Sequence, residues 1–162
     1  ELMNWVQVTA SYGFLQAYHQ FVTPLSAADR DRFYADAQAG AKLYGAPGAP
    51  ANEAQQQALF ARMLPQLEAS DIVFEFLDIM RRTGGLPPLM RPLQPLFLRA
   101  AISILPEPVR VRLNLDKGYR LAGWERLLVR GAGTLSDRIV LRSAPPAQAC
   151  VRLGLPADYL YK

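Results

Sequence analysis

The sequence holds one cysteine and one histidine, Cys150 and His19, and that poverty excludes several chemistries at once. A lone cysteine rules out an internal disulfide framework and any cysteine-based zinc site. None of the spacings HExxH, GxSxG, GxxxxGK[ST] or GxGxxG occurs, so a zinc protease, a nucleophile elbow, a P-loop and a dinucleotide fingerprint have no footing. Long apolar runs are missing too. The best candidate, LFLRAAISIL (Leu96–Leu105), is interrupted by Arg99 and bracketed by Pro95 and Pro106, whereas a membrane span needs about 20 apolar residues. No basic stretch followed by an apolar leader core is present either.

What the chain does have is bulk apolar content and an uneven charge. Of its 162 residues 51% are hydrophobic, and a chain of this length buries roughly 68–70% of its unfolded surface, enough for one domain with a real core. The net charge of +4 conceals a split: residues 1–80 carry four basic and nine acidic side chains, residues 81–162 fourteen basic and five acidic. A basic C-terminal half reads first as a solvated arginine-rich surface, and otherwise suits nucleic acid, an anionic lipid surface or an acidic partner. Nucleic acid is disfavoured, because the arginines are not interleaved with aromatics that could stack on bases. The acidic pairs Asp29/Asp31 and Glu75/Asp78 read as solvated carboxylates. Cys150, in PPAQACVRL, reads as a buried helix position without an activator for its thiol.

The pattern is helical along most of its length, which places the fold in the all-α class. Pro24 ends an opening helix near VTPLS. Ser26 caps a second helix, with Asp29 placed for a capping box, and Gly45 and Pro47 stop it after Tyr44. Asn52 caps a third, which Pro65 kinks or ends. Ser70 starts a fourth, with Ile72, Phe76 and Ile79 at helical spacing and Arg81 and Arg82 at its C-terminal end. TGGLPP (Thr83–Pro88) breaks the chain, and a helix over Leu89–Leu105 must hold Pro92 and Pro95 in its first turn or at a kink. Further helices fit Tyr119–Val129 and Ala147–Leu153. RIVLR (Arg138–Arg142) is the best strand signal, although it could continue a helix.

NWVQVTASYGFLQAYHQF (Asn4–Phe21) is the informative stretch. Trp5, Val8, Tyr12, Leu15, His19 and Val22 form one helical stripe; Gln7, Ser11, Phe14, Tyr18 and Phe21 form a second. Apolar surface therefore covers most of the circumference, so this helix needs neighbours on nearly every side. Gly13 costs about 1 kcal/mol against alanine in a helix interior, which suggests a close approach by another helix or a flat ligand, the helix first. His19 reads as a satisfied core or interfacial residue before an iron ligand, and Gln7 needs a hydrogen-bond partner.

These same residues resemble the MpaB/rubber-oxygenase (latex-clearing protein) family. WVQVT, FLQAYHQFVTPLS, DRFYAD and LYGAP follow the family's WVHAT, F-L-x-A-Y, F-V-x-P-L and R-x-Y-x-E in order. The match rests on Trp5, Val6, Thr9, Phe14, Leu15, Ala17, Tyr18, Phe21, Val22, Pro24, Leu25, Phe33, Tyr34 and Asp36. MLPQL (Met63–Leu67), GGLPPLMRPLQPLF and ILPEPVR (Ile104–Arg110) continue it, so that residues 1–115 form a family-like portion of one helical domain and residues 116–162 an unassigned helical extension. Gln7 stands where the motif has histidine.

The resemblance implies a globin-reminiscent helical bundle binding haem b, with this chain its C-terminal portion lacking the N-terminal helices. It implies that O₂ cleaves carbon–carbon double bonds of isoprenoid substrates there, with the ligating histidine on a helix upstream. Trp5, Gln7, Thr9, Phe14 and Tyr18 are the candidate cofactor-contacting residues, and an apolar or isoprenoid molecule is the expected partner. The competing reading is a family member that has lost haem and serves as a helical lipid-binding or interaction module, in a cytoplasmic or peripheral-membrane setting.

Overall fold

The computed structural model describes residues 2–83 and 88–161. Among them the chain forms eight α-helices and no strand, as the periodicity leads one to expect. α1 (Leu2–Phe21) is followed by α2 (Ala27–Leu43) and α3 (Glu53–Met63), then α4 (Asp71–Arg82), α5 (Gln94–Ser103), α6 (Glu107–Arg112), α7 (Gly123–Ser136) and α8 (Pro145–Arg152).

Local chemistry sets most of the boundaries. The Ser26 hydroxyl accepts the Asp29 amide at 3.1 Å and donates to the Asp29 carboxylate at 2.6 Å. This is half of the expected capping box: the carboxylate pairs with the hydroxyl instead of reaching the Ser26 amide. Asn52 accepts the Gln55 amide at 2.8 Å. α2 ends in a left-handed Gly45, φ 77°, from which the Ala46 amide returns to the Ala41 carbonyl at 2.9 Å; a side chain would strain that turn. Pro65 ends α3 in a 3₁₀ turn over Leu64–Gln66. The Pro-rich stretch divides, with a 3₁₀ turn over Pro88–Leu93 holding Pro92 and with Pro95 in the first turn of α5, where its missing amide costs nothing. The break expected at Thr83–Pro88 turns on residues 84–87, which lie outside the described residues. RIVLR is neither strand nor helix but a stretch of turn and coil.

α1 runs through two of the three hydrophobic clusters. Its N-terminal half meets α3 and α6 where Val8, Phe60 and Val109 pack with Trp5 and Tyr12. Its C-terminal end meets α5 and α7, where Phe21, Ala100, Ile104 and Val129 are buried together. A third cluster, Leu77, Ile102 and Leu115, joins α4 to α5. The aromatic contacts in the first are edge-to-face, Trp5 and Tyr12 standing 5.6 and 4.9 Å from the Phe60 ring, the arrangement that ring quadrupoles favour.

Polar contacts fix the helices against one another. Arg30 pairs with Glu53 at 3.0 Å and donates to the Leu25 carbonyl at 2.9 Å, clasping α2 to α3. Arg110, from ILPEPVR, donates to the Leu105 carbonyl at 2.6 Å and to Asp116 at 3.2 Å. Arg112 donates to the carbonyls of Leu67 and Pro65 at 2.8 and 3.3 Å. The imidazole Nδ1 of His19 accepts the Leu25 amide at 2.8 Å and closes the VTPLS turn, a structural post for the lone histidine.

Candidate functional site

The helical period separates the five candidate residues of α1 onto two faces. Trp5 packs inward on Phe60. The Thr9 hydroxyl bonds back to the Trp5 and Val6 carbonyls, each at 3.0 Å, which ties it to its own helix. Gln7, Phe14 and Tyr18 lie together on another face. Gln7 Nε2 donates to Ser11 Oγ at 3.0 Å. Phe14 is 74% exposed, and the Tyr18 hydroxyl donates to Asp137 at 3.4 Å. Met3 continues this exposed face towards the N-terminus, while Leu2 and Val6 are exposed nearer the Thr9 side. The close approach expected at Gly13 is absent: a methyl group there would meet nothing within 4 Å. Close packing occurs instead at Gly133 of α7, where a methyl would come within 2.5 Å of the Phe21 carbonyl oxygen.

Between α1, α2, α3 and α6 lies a cleft of about 370 Å³. Phe60, Leu64, Pro106 and Val109 give it an apolar lining, and Tyr12, Tyr34 and Gln56 bring polar atoms to it. The Tyr12 hydroxyl donates to the Ile104 carbonyl at 2.9 Å. Gln56 Nε2 donates to the Val8 carbonyl at 3.0 Å, while Gln56 Oε1 and the Tyr34 hydroxyl are buried with no partner among the described residues. Burial, reinforced by the Glu53 carboxylate, pushes the Tyr34 phenol well above its usual range, so it stays protonated and able to donate. Tyr34 belongs to the RFYAD stretch that carries the resemblance, which is the sequence signal for it; Gln56 has none.

A haem is the cofactor the resemblance implies, and the fit of these residues to it is one-sided. The exposed face of α1, with Phe14 and Tyr18, can wall a flat apolar macrocycle. An iron ligand is not supplied in the same place: His19 Nδ1 is taken by Leu25, His19 does not line the cleft, and Cys150 is buried in α8. Among the described residues no group of three or more His, Cys, Asp and Glu side chains could hold a metal ion, and no helix is long and apolar enough to cross a membrane.

Compared with known proteins, residues 1–137 match the family model described as ER-bound oxygenase mpaB/B'/Rubber oxygenase, catalytic domain. The match takes in α7 as well as the motif-bearing stretch. No curated protein and no solved structure matches the chain. With the larger part of its length covered by that one model, the chain belongs to the mpaB/rubber-oxygenase catalytic-domain family.

Proposed function

We propose that this chain is part of a haem-dependent oxygenase acting on an apolar, isoprenoid-type substrate, with haem b ligated by a histidine from outside these residues. The observation that carries the reading is the outer face of α1, apolar and uncovered, in a chain of an oxygenase catalytic-domain family. Haem, when bound, supplies the oxygen chemistry; the protein supplies shape and polarity around it. Phe14 and Tyr18 offer ring surfaces to a flat ligand, and Asp137 holds the Tyr18 hydroxyl. Gln7 is the polar group on this face. With its amide nitrogen on Ser11, its carbonyl oxygen is free to accept a hydrogen bond.

The test is haem uptake by the full-length protein supplemented with haem. We expect a Soret band and stoichiometric iron. Phe14→Asp removes both while changing stability by no more than about 0.5 kcal/mol, because the ring it replaces is on the surface. A wild-type protein without a Soret band, and with iron near zero, overturns the haem reading.

A second reading, a lipid-binding module without haem, draws on α7. Trp124, Leu127, Leu128 and Leu135 are exposed along one side of that helix, and Arg130 and Arg138 adjoin them. An apolar stripe beside arginines suits an anionic membrane surface.

A further inference from the structure

The cleft beneath α1 poses a question that the oxygenase reading does not answer. Tyr34 and Gln56 are each 1% exposed, both line the cleft, and each contributes an oxygen without a hydrogen-bond partner. Leaving such groups unpaired costs about 1–3 kcal/mol apiece, and native proteins rarely tolerate two together. The unmet needs are complementary. Tyr34, held protonated, has a proton to donate; Gln56 Oε1 can only accept, because Nε2 is committed to Val8. A single hydroxyl group donates once and accepts once, and so matches the two needs in kind. The remaining lining is chiefly aromatic, aliphatic and proline carbon, with Glu53 on the Tyr34 side. A space of about 370 Å³ holds roughly a dozen water-sized groups. Gln57, Ala61 and Pro108 are exposed members of the lining, so the cleft opens to solvent.

We propose that this cleft is a binding site for a medium-chain alcohol, an apolar body of about eight to ten carbons ending in one hydroxyl, that size following from the water-sized groups the space holds. The hydroxyl accepts from Tyr34 and donates to Gln56 Oε1, while the chain lies against Phe60, Leu64 and Val109. As the side chains stand, the two oxygens are shielded from solvent, so binding requires both to turn towards the cleft. The site is on a different face of α1 from Phe14 and does not depend on haem being bound.

The experiment is calorimetric titration of the protein with 1-octanol and with geraniol, repeated with heptyl methyl ether, the isomer of octanol, which keeps an acceptor oxygen and the same number of carbons but has no proton to give. Octanol binding more tightly than its isomeric ether by about three- to tenfold, the size of one neutral hydrogen bond, supports the proposal. Whether octanol or geraniol binds better tells an unbranched chain from a methyl-branched one. Tyr34→Phe, which deletes an unpartnered hydroxyl and keeps the ring, is expected to leave the melting temperature unchanged or raised and to weaken alcohol binding by a similar factor. Equal affinity for alcohol and ether overturns the proposal, as does equal affinity of wild type and Tyr34→Phe. So does a crystal structure grown with octanol in which two ordered waters occupy the Tyr34 and Gln56 oxygens. The alcohol–ether comparison needs no variant and decides the matter even if Tyr34→Phe fails to fold. Haem uptake is measured separately, so failure of either reading leaves the other standing.

Discussion

At the scale of single residues, the ion pair between Arg99 and Glu125 governs how the fold answers to acid. Glu125 is 6% exposed; its carboxylate meets Arg99 through Nη2 and, at 3.4 Å, through Nε, and it accepts the Ala122 amide at 2.9 Å. The Arg99 hydrogen bond, with help from the Ala122 amide, holds this carboxyl below the ordinary carboxylate value. Because the folded value is the lower one, the unfolded chain binds the proton first as pH falls. The pair's contribution is therefore fully present above about pH 4.5, the ordinary value, and is lost progressively as pH falls through the depressed one. Thermal unfolding followed by circular dichroism from neutral pH into acid is expected to show wild-type stability dropping in that window. Glu125→Gln is expected to start lower at neutral pH and to decline less steeply; parallel declines would contradict this account.

Among the elements, two glycines give opposite expectations. Gly13→Ala in α1 places a methyl in open space and removes a flexible helix-interior residue, so it should stabilise by about 0.5–1 kcal/mol. Gly133→Ala in α7 drives a methyl against the Phe21 backbone and should destabilise by about 1–3 kcal/mol, the α1–α7 contact having to open. Urea unfolding of the two variants checks both signs. The pair also shows what was legible in the sequence. Helix starts and stops at Ser26, Asn52, Pro65 and Gly45 could be read directly, since each depends on neighbouring residues alone. No helix approaches Gly13, and the contact at Gly133 has no sign in the sequence, because what sits opposite a glycine is decided by a distant segment. Likewise, Ile72, Phe76 and Ile79 repeat at helical spacing, yet α4 exposes all three and buries Leu77; periodicity finds an apolar face without saying whether anything covers it. RIVLR has strand composition but no partner strand among the described residues, so it stays turn and coil. Of the two unpaired side chains in the cleft, only Tyr34 lies in a recognisable motif, since an unpaired amide oxygen at Gln56 leaves no mark in a sequence.

Over the whole molecule, the charge split resolves into two kinds of arginine. Arg99, Arg110 and Arg112 bind carboxylates and carbonyls within the fold, and Arg126 sits over the Phe21 ring at 5.8 Å. Arg130, Arg138 and Arg142 are exposed and form no ion pair among the described residues. The lipid reading predicts that the protein pellets with vesicles containing phosphatidylserine at low salt and is released at high salt, as screening shortens the reach of those charges. Arg130→Ala and Arg138→Ala should each weaken binding about fivefold, ~1 kcal/mol per arginine near such a surface; failure to pellet at low salt removes the reading.

Because α1 contributes Val8 to one hydrophobic cluster and Phe21 to another, the two clusters do not open independently. Loosening α3 and α6 strips cover from the same helix that α5 and α7 grip. Hydrogen exchange should accordingly find the amides of α1, α3 and α7 sharing one opening free energy, as a single cooperative unit.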